Sequence, residues 1–159
     1  MHIIGRQGYQ LLIDQGIEKA QFFADLVTQD DDFELISKPE LNILTYRLVP
    51  AEIQRLLAQA TPEEYQAAGE VLNRLTVLIQ KTQRERGKTF VSRTTLKPAW
   101  LERHPTTVFR VVLANPLTTE LILREVLKEQ REIAQEPESQ VLIREVYDLL
   151  SPQKNAGHS

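Results

Sequence analysis

The apolar positions change period several times along the 159 residues, and each change marks an element. From Gly8 to about Gln29, Tyr9, Leu12, Ile13, Ile17, Ala20, Phe23, Ala24 and Val27 recur at steps of three and four. That spacing predicts a helix with one apolar face and with Gln10, Asp14, Glu18 and Gln21 on the other. Asp30-Asp31-Asp32 stops it, because adjacent carboxylates repel and Asp favours turns. Phe33–Ser37 and Asn42–Leu48 then read as short strands joined by a turn at Lys38-Pro39-Glu40. A short helix opens at Pro50 and runs through Leu57. A longer one follows, with Thr61 as N-cap, Pro62 at the first helical position and Glu64 closing a capping box. Its stripe is Tyr65, Ala68, Leu72, Leu75 and Ile79, and Gly87 ends it.

Lys88–Leu96 and Thr106–Leu113 are rich in β-branched and aromatic residues and read as two further strands, linked by a loop holding Pro98 and Pro105. Asn115-Pro116 breaks the second of them, and Thr118 or Thr119 caps a helix carrying Ile122, Leu123, Val126, Leu127 and Ile133 on one side. Pro137 ends that helix, and a short amphipathic helix over about Ser139–Leu150 precedes a polar tail. LILREV at 121–126 and VLIREV at 141–146 look alike, but six amphipathic residues match by chance and mark no repeat. Pairs of strands between helices favour a small antiparallel sheet covered on one face by helices, an α+β fold. The fold by itself implies no activity.

Composition narrows the chemistry more than it names it. Hydrophobic residues make up 42% and charged residues 26%, a balance that suits one globular domain rather than a disordered or membrane chain. There is no cysteine, which excludes disulfides, thiolate ligands and a thiol nucleophile and suits a reducing cytoplasm. His2, His104 and His158 stand far apart, so no histidine metal motif exists and no metal site is expected. The net charge is −3, and Lys and Arg alternate with Glu on helix faces instead of forming a basic stripe, so nucleic acid is not an expected partner. No apolar run is long enough to span a bilayer, and Met1-His2-Ile3-Ile4-Gly5 is too short for a signal peptide, so a soluble cytoplasmic protein is expected.

Arg110 is the most informative residue. Every neighbour in Thr107-Val108-Phe109-Arg110-Val111-Val112-Leu113 is apolar or nearly so, and strand alternation makes both faces apolar. The strand is therefore expected to be central and buried on both sides, where a guanidinium needs an anion or several acceptors. A substrate carboxylate could fill that role by two-pronged hydrogen bonding. So could an ion pair with Glu34, Glu40 or another carboxylate, and an edge strand would leave Arg110 in water. In Val91-Ser92-Arg93-Thr94-Thr95, Ser92 and Thr94 share one face and Arg93 takes the other. Arg93 and Arg47 are expected on the sheet surface, and Tyr46 and Trp100 in packing. Glu63, Glu64 and Glu70 belong to solvated helix faces. Gly5-Arg6-Gln7-Gly8 follows no strand and lacks the third glycine of a dinucleotide fingerprint, and neither a phosphate loop nor a Gly-x-Ser-x-Gly elbow occurs.

GRQGYQLLIDQGIEKAQFFADLV, DDFELISKPELNILTYRLVP, FVSRTTL and VFRVVLANPLTT, in this order and spacing, resemble the C-terminal region of the group II pyridoxal-phosphate-dependent amino acid decarboxylases. The wording is most similar to the bacterial aspartate 1-decarboxylase branch, near the glutamate and diaminobutyrate decarboxylases. The resemblance runs to about Gln135. It implies three parts: residues 1–29 as the terminal helix of a large cofactor domain, 30–136 as the small C-terminal domain, and 137–159 as a helix and disordered tail. It also implies that Arg110 binds a substrate carboxylate.

The family's cofactor lysine follows a histidine, and none of Lys19, Lys38, Lys81, Lys88, Lys97, Lys128 or Lys154 does. The resemblance thus implies that pyridoxal phosphate is held by a missing N-terminal domain. This chain would then hold no catalytic, cofactor or metal residue and would be inactive alone, whether as a truncated piece, a split product or a partial reading frame. The parent would be a homodimer that removes the α-carboxylate of an acidic amino acid. A stand-alone regulatory or protein-interaction module is the rival expectation.

Overall fold

The computed structural model describes residues 6–87, 91–96 and 105–151. The expected strand start at 88–90, the loop around Pro98, Trp100, the three histidines and the polar tail lie outside them. The described chain forms α1 (Arg6–Gln29), β1 (Phe33–Glu40), β2 (Ile43–Leu48), α2 (Ala51–Ala58), α3 (Pro62–Glu85), β3 (Ser92–Leu96), β4 (Thr106–Val112), α4 (Glu120–Ala134) and α5 (Pro137–Leu150). The strands make one antiparallel sheet in the order β1-β2-β4-β3, so the fold is α+β and β4 is central, as the sequence suggests.

Local signals place most of the ends. The Thr61 hydroxyl accepts from the backbone N–H of Glu64, three residues into α3, and Pro62 gives up only a donor that had no helical partner. Gly87 adopts φ 69° just past the helix, a conformation that costs glycine little. Thr119 caps α4 by accepting from Ile122 N–H. Pro137, expected only to end α4, also sits in the first turn of α5, where its missing N–H costs nothing.

The β1–β2 turn differs from expectation. β1 runs on through Lys38-Pro39 to Glu40, and the reversal falls at Leu41-Asn42, with Leu41 held at φ 53°. Pro39 is tolerated because β1 is an edge strand, where one missing N–H faces no partner. An irregularity between Leu35 and Ser37 absorbs the extra length.

All the main packing lies on one face of the sheet. Leu44, Tyr46, Leu48, Phe109 and Val111 join Ala20, Phe23 and Val27 of α1 and Leu72, Leu75 and Ile79 of α3 in the hydrophobic core. Tyr46 is its centre. Its ring meets Phe23 edge-on at 5.3 Å, Phe33 at 5.8 Å and Phe109 at 5.2 Å. Its hydroxyl donates to Gln130 Oε1 at 2.8 Å, the Gln130 amide donates to Gln83 Oε1, and the Gln83 amide to the Val126 carbonyl. Burial pushes the Tyr46 phenol far above its ordinary value, against the smaller pull of Gln130, so it stays a neutral donor. Asn73 of α3 pins the start of β4, donating to Pro105 O and accepting from Thr107 N–H. Gly16 lets α1 lie against the far end of the sheet, where a Cβ would stand 2.8 Å from the Leu113 carbonyl oxygen.

Two outcomes follow from this packing. Tyr46→Phe keeps the rings but leaves Gln130 Oε1 buried without a donor, so it is expected to cost about 1–3 kcal/mol. Thermal or urea unfolding checks it. Leu11 and Ile13 of α1, with Leu117 and Leu121 nearby in sequence to α4's start, are largely exposed, so the isolated chain is expected to self-associate and to bind a hydrophobic dye. A monodisperse monomer by light scattering with no dye signal would contradict that.

Candidate functional site

The other face of the sheet carries the polar side chains. Register puts Glu34 opposite Arg47, Thr45 opposite Arg110, Ser92 opposite Arg110 and Thr94 opposite Val108, all on one side. Ile36 and Val108 are buried there but belong to no part of the main core. Burial on this face is graded along β4: Val108 is fully covered, Arg110 is half-buried and Val112 is 38% exposed. The expectation of a strand buried on both sides is therefore met only at its start. The sequence signal misleads because valine serves a half-open face as well as a closed one.

Arg47 reverses its expectation. Predicted on the sheet surface, it is 3% exposed. Its Nη2 donates to both Glu34 oxygens, at 3.3 and 3.5 Å, and its Nε has no partner among the described residues. Charge-assisted bonds usually fall near 2.7–2.9 Å, so this pair is loose. The sequence expectation missed it because a lone arginine in a strand of mixed residues carries no mark of burial. Beside the pair, the hydroxyls of Ser37 and Thr45 share a 2.6 Å hydrogen bond.

Arg110 takes neither carboxylate suggested for it. Glu34 is engaged by Arg47, and Glu40 forms no ion pair with Arg110. Among the described residues the Arg110 guanidinium has no hydrogen-bond or ion-pair partner; only its backbone carbonyl is used, by the Ser92 hydroxyl at 3.2 Å. Nor is β4 an edge strand. Arg110 is thus a half-buried planar donor with no side-chain partner among the described residues, at the point where this face passes from the buried Val108 to the exposed Val112. Arg93 points to the opposite side and donates to Gln80 Oε1 at 2.9 Å.

No other described region offers comparable chemistry. A cleft of about 430 Å³ between the end of β2, α4 and α5 is lined by Asp32, Lys128, Arg131, Glu132, Gln140 and Tyr147. Its charges are matched internally or nearby: Arg131 with Asp30, Lys128 with Glu132, and Asp32 with the Ala51 N–H. The Tyr147 phenol is pushed up by partial burial and by its hydrogen bond to Glu52. Pyridoxal phosphate needs a lysine for its aldehyde and donors for its phosphate. Lys19 gives its ammonium to the carbonyls of Asn115 and Pro116, and Lys19, Lys38, Lys81 and Lys128 are all exposed or half-exposed. The described residues do not fit that group, and no step through it is derived for this chain.

Comparison with known proteins gives the fold a context. No family model matches the chain. It is 60% identical over 137 residues to the aspartate 1-decarboxylase of Aliivibrio fischeri, a match that covers 86% of this chain and 25% of that protein. The chain therefore spans about a quarter of the length of this relative. Mouse CSAD superposes with a TM-score of 0.69 at 20% identity, over 84% of this chain and 25% of that one. Oryza sativa TDC with PLP and tryptamine gives 0.61 at 20% identity, over 82% and 24%. The glutamate decarboxylase domain of a Vibrio parahaemolyticus protein gives 0.60 at 18% identity, over 82% and 23%. At these identities the structures show a shared fold, the α+β arrangement of a portion of decarboxylase chains.

The lysine environments carry an expected outcome. Mixing the 159-residue chain with pyridoxal phosphate and borohydride should give only scattered, substoichiometric labelling. One lysine labelled to completion, identified by peptide mass mapping, would show a cofactor site that these side chains do not supply.

Proposed function

We propose that this chain is the C-terminal portion of a pyridoxal-phosphate-dependent decarboxylase that removes the α-carboxylate of an acidic amino acid. In this reading residues 1–29 close the large cofactor domain, 30–136 form the small domain, and 137–159 are its terminal helix and tail. The rest of the enzyme would supply the cofactor's ligands and a second copy would complete the dimer. The observation that carries the reading is the half-buried Arg110 guanidinium, without a partner among the described residues, on the sheet face opposite the main core. The 60% identity to an aspartate 1-decarboxylase, a match that covers a quarter of that protein, supports the decarboxylase part of it.

Arg110 would work by geometry rather than by proton transfer. Its planar fork presents two parallel N–H donors, which match the two oxygens of a carboxylate and fix the plane of the bound acid. β4 is held between two partner strands and pinned by Asn73, so the fork stands on a stiff base. Holding the substrate in one orientation is worth rate as well as affinity, because the bond to be broken must be aligned with the electron sink. When bound, the cofactor supplies that sink.

The experiment is steady-state kinetics on the complete enzyme. Arg110→Lys keeps the charge and loses the fork. If Arg110 holds substrate, kcat/KM should fall by roughly 30- to 1000-fold, equivalent to about 2–4 kcal/mol, with cofactor absorbance and melting temperature nearly unchanged. Near-normal kinetics with a lowered melting temperature would make Arg110 a structural residue.

A further inference from the structure

On the face opposite the main core, one row of residues crosses the sheet at right angles to its strands. Ser37 of β1 pairs with Thr45 of β2, Thr45 with Arg110 of β4, and Arg110 with Ser92 of β3. The row thus holds three hydroxyls and one guanidinium, and no carboxylate. Glu34 and Glu40 stand in the flanking rows, both on β1, with β2 between them and the strand of Arg110. Directly opposed side chains on one face have Cβ atoms about 4.5–5.5 Å apart. Thr45 and Ser92 are therefore the immediate cross-strand neighbours of Arg110, one on each side.

Hydrogen counting separates the two neighbours. A hydroxyl has one hydrogen to give. Ser92 gives its own to the Arg110 backbone carbonyl, at 3.2 Å. Ser37 and Thr45 have two hydrogens between them and share a single 2.6 Å bond, so one hydrogen is left over. Neither hydroxyl has another partner among the described residues. Ser37 is exposed and can give that hydrogen to water, whereas Thr45 is 6% exposed. The lower-energy arrangement at rest is Thr45 donating to Ser37 and Ser37 donating to water, since a buried donor without an acceptor is costly. An anion beside Arg110 reverses that preference. Rotation of the two hydroxyls lets Ser37 donate to Thr45 and Thr45 donate to the anion, and no proton leaves its oxygen.

We propose that Thr45 is a second carboxylate-holding residue, whose hydroxyl donates to an oxygen of the carboxylate held by Arg110 when the guanidinium turns toward β2. Two N–H donors from the fork leave lone pairs on both carboxylate oxygens, so a third donor finds a free site. The carboxylate is then held from two strands, which fixes it against turning about the axis of the arginine side chain. A guanidinium turned toward β3 would meet only Ser92, whose hydrogen is already committed. This deepens the reading of Arg110 as a carboxylate holder and rests on it.

The test titrates the 159-residue chain with acetate, against chloride at matched ionic strength, and follows the Arg110 Nε–Hε and Thr45 methyl resonances. Both should shift beyond the chloride control, along one binding curve. With no response at Arg110, the carboxylate-holding reading itself fails. A response at Arg110 without one at Thr45, or with a different midpoint, overturns the proposal and leaves Arg110 as the ligand. Thr45→Val removes the hydroxyl and nearly keeps the shape, and valine suits a central strand. In that variant acetate affinity, read at Arg110, should fall roughly tenfold, or about 1.4 kcal/mol, with the melting temperature nearly unchanged. Thr45→Ser keeps a hydroxyl and should recover most of the affinity. Unchanged affinity in Thr45→Val, or an equal loss in Thr45→Ser, would overturn the proposal. Thr45→Ala takes the place of Thr45→Val if the valine variant does not fold.

Discussion

The hydroxyl of Tyr46 ties three layers of this protein together. The ring belongs to the sheet, its acceptor Gln130 belongs to α4, and the next link, Gln83, belongs to α3. Each amide spends its donor on the next acceptor, ending at a helix carbonyl, so several polar groups lie in the centre of the core at little net cost. Such a chain tolerates only one arrangement. Sliding α4 by a turn against β2 would leave a buried oxygen without a donor, which apolar packing alone would not forbid. The relay therefore specifies how the helices sit on the sheet, and the aromatic contacts around Tyr46 supply the affinity.

Having committed its helices to one face, the chain shows a different chemistry on the other. There the pairs run Glu34 with Arg47 and Ser37 with Thr45, and Arg110 is left over. Core and site are thus the two sides of the same strands. Tyr46 and Arg47 are successive residues of β2, and Phe109 and Arg110 of β4. Alternation alone sends one of each couple into the aromatic cluster and the other to the polar face. Packing of Tyr46 against Phe109 fixes the register that in turn sets where Arg47 and Arg110 stand.

Much of this was legible in the chain of residues, for identifiable reasons. Helices with long stripes and explicit caps, such as the one begun by Thr61-Pro62 and ended by Gly87, announce both their type and their limits. Arg110 stood out because its neighbours are apolar. The turn after β1 was misplaced because Pro39 reads as a break in sequence, and only the knowledge that β1 is an edge strand makes it harmless. Gln83 and Gln130 went unnoticed, since glutamine on a helix is ordinarily solvated and nothing local reveals that Tyr46 waits across the core. Arg47 was missed for the same reason: burial is a property of the assembled sheet and leaves no local pattern.

Gly16 adds a steric link between α1 and the sheet. A Cβ at that position would stand 2.8 Å from the Leu113 carbonyl oxygen and 3.2 Å from the Asn42 Cβ, so α1 packs closely against the turn after β1 and the residue that follows β4. Leu113 is three residues beyond Arg110 on the same stretch of chain. A larger residue at position 16 would therefore have to push α1 away from the segment that leads out of β4, so the size of one side chain sets how closely this helix can approach that end of the sheet.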